Sequence, residues 1–170
     1  MDYNFAFPVR YAGYLGLFIN KEDGKGTMKY YDRKINYYET DQMGIVHHSN
    51  YARFFEEARI SYMDQMGYPY ERLEEEGILS PVLAISCKFL HSVRFGDSVR
   101  IEVTTTAVSK VKCSFSYKVT DLATGELKAR GESEHGFITR DGKPIILPKE
   151  KPEFYQLLLN ELETNDAGLK

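Results

Sequence analysis

Asp41, Gly44, His47 and His48 crowd one short stretch of the chain. A carboxylate can attack an electrophilic carbonyl or take a proton from water, and an imidazole can move protons near neutral pH. Gly44 lets the backbone approach a ligand closely. The stretch leads directly into a helix. Tyr51, Phe54, Phe55, Ala58, Tyr62, Met63 and Met66 recur at helical spacing as a wide apolar stripe, and Arg53, Glu56, Glu57 and Asp64 occupy the other face. Gly67 ends the helix and Pro69 follows. The helix N-terminus therefore falls between His47 and Asn50. Backbone N–H groups there lack partners and can hydrogen-bond developing negative charge. The competing readings are structural: a solvated or helix-capping turn aspartate at 41, and two loop or capping histidines after it.

So wide a stripe needs a sheet to bury it, and the rest of the chain supplies strand patterns. Segments 28–37, 82–89, 98–108, 112–120 and 127–139 read as strands. Val99, Ile101 and Val103 alternate with Arg100, Glu102 and Thr104, the pattern of a half-buried strand. Phe95-Gly96-Asp97, Thr124-Gly125 and Asp141-Gly142 mark turns. Residues 70–76 suggest a short polar helical turn ended by Gly77. Pro148 and Pro152 bracket a polar linker, and a short amphipathic helix over 153–162 precedes a tail expected to fray. Glu56, Glu57 and Arg59 read as a solvated face with a structural ion pair. Pattern alone gives a single α+β domain with one helix packed on an antiparallel sheet.

Composition narrows the function. The 170 residues carry a formal net charge of −3 and a pI near 5.8, which argues against a nucleic-acid-binding surface. Cys87 and Cys113, each in an apolar run, read as reduced core thiols of a cytoplasmic protein. No cysteine spacing suits a metal, and adjacent histidines are poor partners for one ion, so no metal is expected at Asp41, His47, His48 and Glu56. No apolar run is long enough to span a bilayer. Residues 1–27, with an aromatic run and then Lys21-Glu22-Asp23-Gly24-Lys25-Gly26, read as an extension outside the fold or as an arm for a partner subunit.

The ordered string Thr40-Asp41, Gly44-Ile45-Val46, His48, Asn50-Tyr51 and Phe55-Glu56-Glu57-Ala58-Arg59 resembles the signature of hotdog-fold acyl-CoA thioesterases, closest to the 4-hydroxybenzoyl-CoA thioesterase type. The resemblance covers residues 28–149, leaving 150–170 as a C-terminal helix and tail. It implies a sheet wrapped around one long helix, and hydrolysis of a thioester to free acid and coenzyme A. Asp41 falls on the catalytic aspartate, as nucleophile or general base. His48 falls on the residue whose backbone N–H polarises the carbonyl, with its side chain assisting in some relatives, and Tyr37 matches a tyrosine that hydrogen-bonds near the site. Gly44, Val46, His47, Asn50 and Tyr51 are the implied substrate-binding residues. Coenzyme A phosphates call for cations, for which Lys110, Lys112, Arg140 and Lys143 are the candidates. A glutamate on the helix, Glu56 or Glu57, is the fallback carboxylate. The resemblance implies no cofactor and a homodimer or homotetramer with each site at a subunit interface; acyl carrier protein is a further candidate partner. A non-catalytic acyl-thioester or acyl-carrier-protein binding module and a hotdog dehydratase are the alternatives.

Overall fold

A computed structural model describes residues 29–167, with side chains through Thr164. Segment 1–27 lies outside the described residues. The strands are β1 (Tyr30–Lys34), β2 (Ile78–Leu79), β3 (Val82–Phe89), β4 (Ser98–Val108), β5 (Lys112–Asp121), β6 (Leu127–Gly136) and β7 (Ile138–Thr139). The helices are α1 (Asn50–Gln65), α2 (Tyr70–Glu75), α3 (Leu147–Glu150) and α4 (Pro152–Ala167). Five strands form one antiparallel sheet in the order β1-β4-β5-β6-β3, and β2 pairs with β7 beside it.

The helix packs its stripe on this sheet: all seven predicted stripe residues are buried. Phe55 stacks on Tyr117 of β5, ring centroids 4.4 Å apart and 12° from parallel. The ring also lies over Gly131 of β6, where a Cβ would fall 2.2 Å from it. Gly131 is the notch that lets helix and sheet close together. At the far end, the Tyr68 N–H reaches the Met63 carbonyl (3.1 Å) and the Gly67 N–H the Asp64 carbonyl (3.0 Å), with Gly67 at φ +81°. These are the two bonds of a glycine-terminated helix end, as the sequence predicts.

The chain departs from expectation in five places. The first strand stops at Lys34, and Tyr37–Glu39 forms a single 3-10 turn. The strand predicted over 127–139 divides at Phe137, because its last two residues leave the main sheet to pair with β2; two-residue strands are too short to show a period. The linker after Pro148 includes a helical turn, and α4 runs to Ala167, burying Phe154 and Leu158; the Phe154 ring lies 4.8 Å from Tyr68 and 5.5 Å from Phe137. Arg59 is buried instead of sharing a solvated face, and Glu57 pairs with Arg33 at 3.5 Å. Finally, β3 is apolar yet uncovered. Val82, Leu83, Ile85 and Phe89, with Leu90 just after them, all stand exposed on a strand that pairs with β6 on one side and with no strand on the other among the described residues.

Candidate active site

Asp41 opens a tight hairpin. The Gly44 N–H donates to the Asp41 carbonyl and the Asp41 N–H to the Ile45 carbonyl, both at 2.9 Å. That geometry needs a left-handed residue at the turn's end, and Gly44 supplies it at φ +71°. Asp41 Oδ1 accepts the Met43 N–H at 2.8 Å, which fixes the carboxylate in the turn. Its other oxygen has no partner among the described residues. The hairpin continues through a Thr40–Val46 bridge to His47, whose N–H donates to the Glu39 carbonyl at 2.9 Å. Ile45 bridges to Arg94, and the Val46 N–H donates to the Val93 carbonyl at 2.8 Å, so the β3–β4 connection backs the hairpin.

Glu39 is the hub of this assembly. Its buried carboxylate pairs with Arg33 and accepts the Asn36 N–H at 2.8 Å, and Arg33 in turn lies over the Phe54 ring at 3.7 Å. The Glu39 carbonyl also accepts the Asn50 side-chain amide at 2.7 Å. Asn50, the first residue of α1, is thereby latched to the 3-10 turn that leads into Asp41. One amide N–H makes this backbone contact and so helps to position the helix.

The helix start leaves one donor open. The Asn50 N–H reaches the His47 carbonyl (3.0 Å) and the Tyr51 N–H the His48 carbonyl (3.2 Å). The Ser49 N–H makes a long contact with His47 Nδ1 (3.4 Å), and that ring nitrogen also lies 2.8 Å from Ser49 Oγ. The His48 N–H has no acceptor among the described residues. It points from the positive end of a 16-residue helix. The His48 ring is exposed and packs on His47, 4.1 Å between centroids. His48 follows Ile45, which faces Asp41 across the hairpin, by three positions. At strand rise this is about 10 Å of backbone, enough for a thioester seated between carboxylate and N–H.

A family model described as the Thioesterase-like superfamily matches residues 35–160. The chain belongs to that superfamily. A Bacillus subtilis relative named "Putative acyl-CoA thioesterase YneP" is 30% identical over 123 residues, covering 72% of this chain and 88% of its own length. An Aquifex aeolicus relative, "Putative esterase", is 34% identical over 122 residues, covering 71% and 91%. Among solved structures, a DHNA-CoA thioesterase from Staphylococcus aureus is 29% identical, with a TM-score of 0.78 over 82% of this chain and 94% of that one. The architecture is the hotdog fold that the motif string implies, and the family is one of thioester hydrolases.

In this thioesterase-family chain the remaining predicted residues are dispersed. Tyr37 is 77% exposed and stands edge-on to Phe95 at 5.6 Å. Val46 and Tyr51 belong to the core; the Tyr51 ring meets Phe89 at 4.9 Å, and burial, aided by Cys87, pushes its hydroxyl up to about 12. Lys110 sits in the turn after β4 and Lys112 opens β5, about 30 Å along β4 from the Arg94–Asp97 turn beside the hairpin. Arg140 donates to the Glu74 carbonyl at 3.1 Å, Lys143 pairs with Asp141 at 2.7 Å, and Lys112 with Glu134 at 2.9 Å. The four cations share the end of the chain remote from Asp41. The cation beside the hairpin is Arg94, whose Nη1 lies 3.5 Å from the Gly44 carbonyl. Sequence reading missed Arg94, Arg33 and Glu39. Only Glu39 carried a signal: Asn36-Tyr37-Tyr38-Glu39 has the spacing of an N-terminal cap with its reciprocal glutamate.

A groove of about 250 Å³ runs between α1 and β3, with Arg53 and Glu56 at its rim and Phe55 and Ile85 in its walls. Glu56 faces this groove while Glu57 turns to Arg33, which separates the two fallback carboxylates. Among the described residues no three His, Cys, Asp or Glu side chains are grouped to hold a metal, and no helix is long and apolar enough to cross a membrane.

Proposed function

We propose that the chain hydrolyses acyl-CoA thioesters to free acid and coenzyme A. The observation that carries this is the open His48 N–H at the start of α1, directly after the Asp41 hairpin in the chain, in a member of the thioesterase-like superfamily. The thioester carbonyl oxygen takes the His48 N–H, and the helix dipole stabilises the negative charge that develops there. Asp41, with one oxygen fixed by Met43 and the other free, attacks the carbonyl carbon or draws a proton from an attacking water. The acyl group lies in the groove between α1 and β3. Names borne by relatives, an acyl-CoA thioesterase and a DHNA-CoA thioesterase, support a coenzyme A thioester as the substrate.

The working unit in this proposal is a dimer made through β3. An exposed apolar strand with a free edge is a surface that pairs with another strand. Antiparallel pairing of β3 with a second copy across a two-fold axis would cover its side chains and extend the sheet. It would also turn the cationic end of one subunit toward the Asp41 end of the other. Lys110, Lys112, Arg140 and Lys143 would then serve the phosphates of substrate bound at the partner's hairpin.

The test is thiol release from a panel of short, long and aromatic acyl-CoA substrates. Release from at least one substrate, at turnover well above the uncatalysed rate, is the expected result. A change in acyl unsaturation without thiol would make the protein a dehydratase. Tight acyl-CoA binding with no chemistry would make it a binding module.

A further inference from the structure

Arg59, Tyr117, Ser133 and His135 form the floor of the α1–β3 groove and take no part in the hydrolysis described above. All four are buried, His135 to 2% exposure. The Tyr117 hydroxyl lies 2.8 Å from Ser133 Oγ, which lies 2.8 Å from His135 Nε2. One ring nitrogen in this cluster lacks a partner, and one cation lacks a carboxylate. Among the described residues the buried His135 Nδ1 has no hydrogen-bond partner, and Arg59 forms no ion pair, its guanidinium lying over the Tyr70 ring at 5.6 Å and beside Tyr117. Buried polar groups are normally satisfied, and a buried unpaired guanidinium is costly.

The chemistry of the cluster is that of a donor set. Burial, with Arg59 adding to it, holds the His135 ring down to about 4, so at neutral pH it carries one proton. Arg59 only donates, and it lies close enough to Tyr117 to offset part of the upward push of burial on that hydroxyl. With a donor at the Tyr117 end, the relay runs from Tyr117 to Ser133 to His135 Nε2. The ring proton then sits on Nδ1. Spare donors remain at both ends of the floor.

We propose that this floor is a subsite for an oxygen acceptor, a carboxylate or a hydroxyl, carried by the acyl group at its end remote from the thioester. The proposal rests on the thioester-hydrolase reading. Arg59 follows His48 by eleven positions, ten of them in α1, which is about 16 Å at 1.5 Å per residue. A helical side chain covers the turn before its own Cα, so the guanidinium comes back by about one turn, to about 10 Å. The acyl group must span that length, which an acetyl group does not. Glu56 at the exposed rim, one turn before Arg59, repels a carboxylate and accepts from a hydroxyl, so the two chemistries are separable.

Three acyl-CoA substrates of matched length test this: one with a terminal carboxylate, one with a terminal hydroxyl and one unsubstituted. Thiol release gives kcat/KM for each, and titration calorimetry of the three free acids gives binding without chemistry. The proposal expects at least one oxygenated substrate to exceed the unsubstituted one by about tenfold or more. It expects Arg59→Met and Ser133→Ala to collapse that ratio, with loss of the matching preference among the acids. Ser133→Ala is the milder change and serves if Arg59→Met does not fold. A wild-type ratio near one, or a ratio unchanged in both variants whatever the overall rate, overturns the subsite. If no thioester is hydrolysed but the oxygenated acid binds in a floor-dependent way, the subsite stands and the hydrolase reading falls.

Discussion

From sequence β3 reads as an apolar, partly β-branched strand and β4 as an alternating, half-buried one, and both begin and end where predicted. Their fates differ. β4 lies between β1 and β5 and buries Val99, Ile101 and Val103 on one face while Arg100, Glu102 and Thr104 stay partly exposed. β3 is a sheet edge, bonded only to β6, and leaves seven of its eight residues exposed. A strand that alternates is completed by its own chain. A strand whose apolar residues stand exposed at an open edge offers the surface on which the proposed dimer rests.

The contrast is sharpest in stability. Ile101→Ala, in the fully buried face of β4, should cost about 3 kcal/mol of unfolding free energy, whatever the protein concentration. Denaturant titration at two concentrations checks it. Gly131→Ala, in β6 between the two regions, should cost about 2 kcal/mol, because the new Cβ meets the Phe55 ring and the Ser86 carbonyl behind it. Phe55→Leu in the same background should recover part of that loss.

A third effect is smaller and depends on pH. Burial depresses the His135 pKa to about 4 in the folded chain, against about 6.5 unfolded. The unfolded state therefore binds the proton first as pH falls. Stability from this group is complete above about pH 6.5 and is lost progressively on the way down to about pH 4. Denaturation midpoints at pH 7, 6 and 5 should decline, and His135→Phe should flatten that decline.

The smallest effect on the chain itself should come from β3. Leu83→Lys should change unfolding free energy by about 0.5 kcal/mol or less, since the side chain is already exposed. It should nevertheless shift the protein from dimer to monomer in sedimentation velocity and lower turnover with it. A Leu83→Lys protein that stays dimeric would remove β3 from the interface.

Most of the fold was legible because it rests on periodicity. The stripe from Tyr51 to Met66 has the spacing of a buried helix, and Gly67, Gly77, Gly96 and Gly125 sit at positive φ where turns were expected. The two-residue pair β2–β7 was not legible, since no period exists in two residues. The site was legible in part. Asp41, Gly44 and His48 lie where the motif string puts them, on one hairpin and one helix start. What holds them there was hidden, because Arg33 meets Glu39 through space and Asn50 spends its amide on a backbone carbonyl eleven residues back. The polar floor was hidden for the same reason: its residues come from three elements, and each read alone as an ordinary strand or helix position.

The central claim is that Asp41 supplies the carboxylate for thioester hydrolysis at the start of α1. The most direct measurement is thiol-release turnover of Asp41→Asn beside the wild type, on the best acyl-CoA of the panel, with matched melting temperature and oligomeric state. The side-chain amide can still accept the Met43 N–H, so the hairpin should persist while the reactive carboxylate is gone. Turnover should fall by about 10²-fold or more. Turnover within a few-fold of wild type in the folded variant would contradict the account and move the chemistry to Glu56, the carboxylate at the rim of the groove.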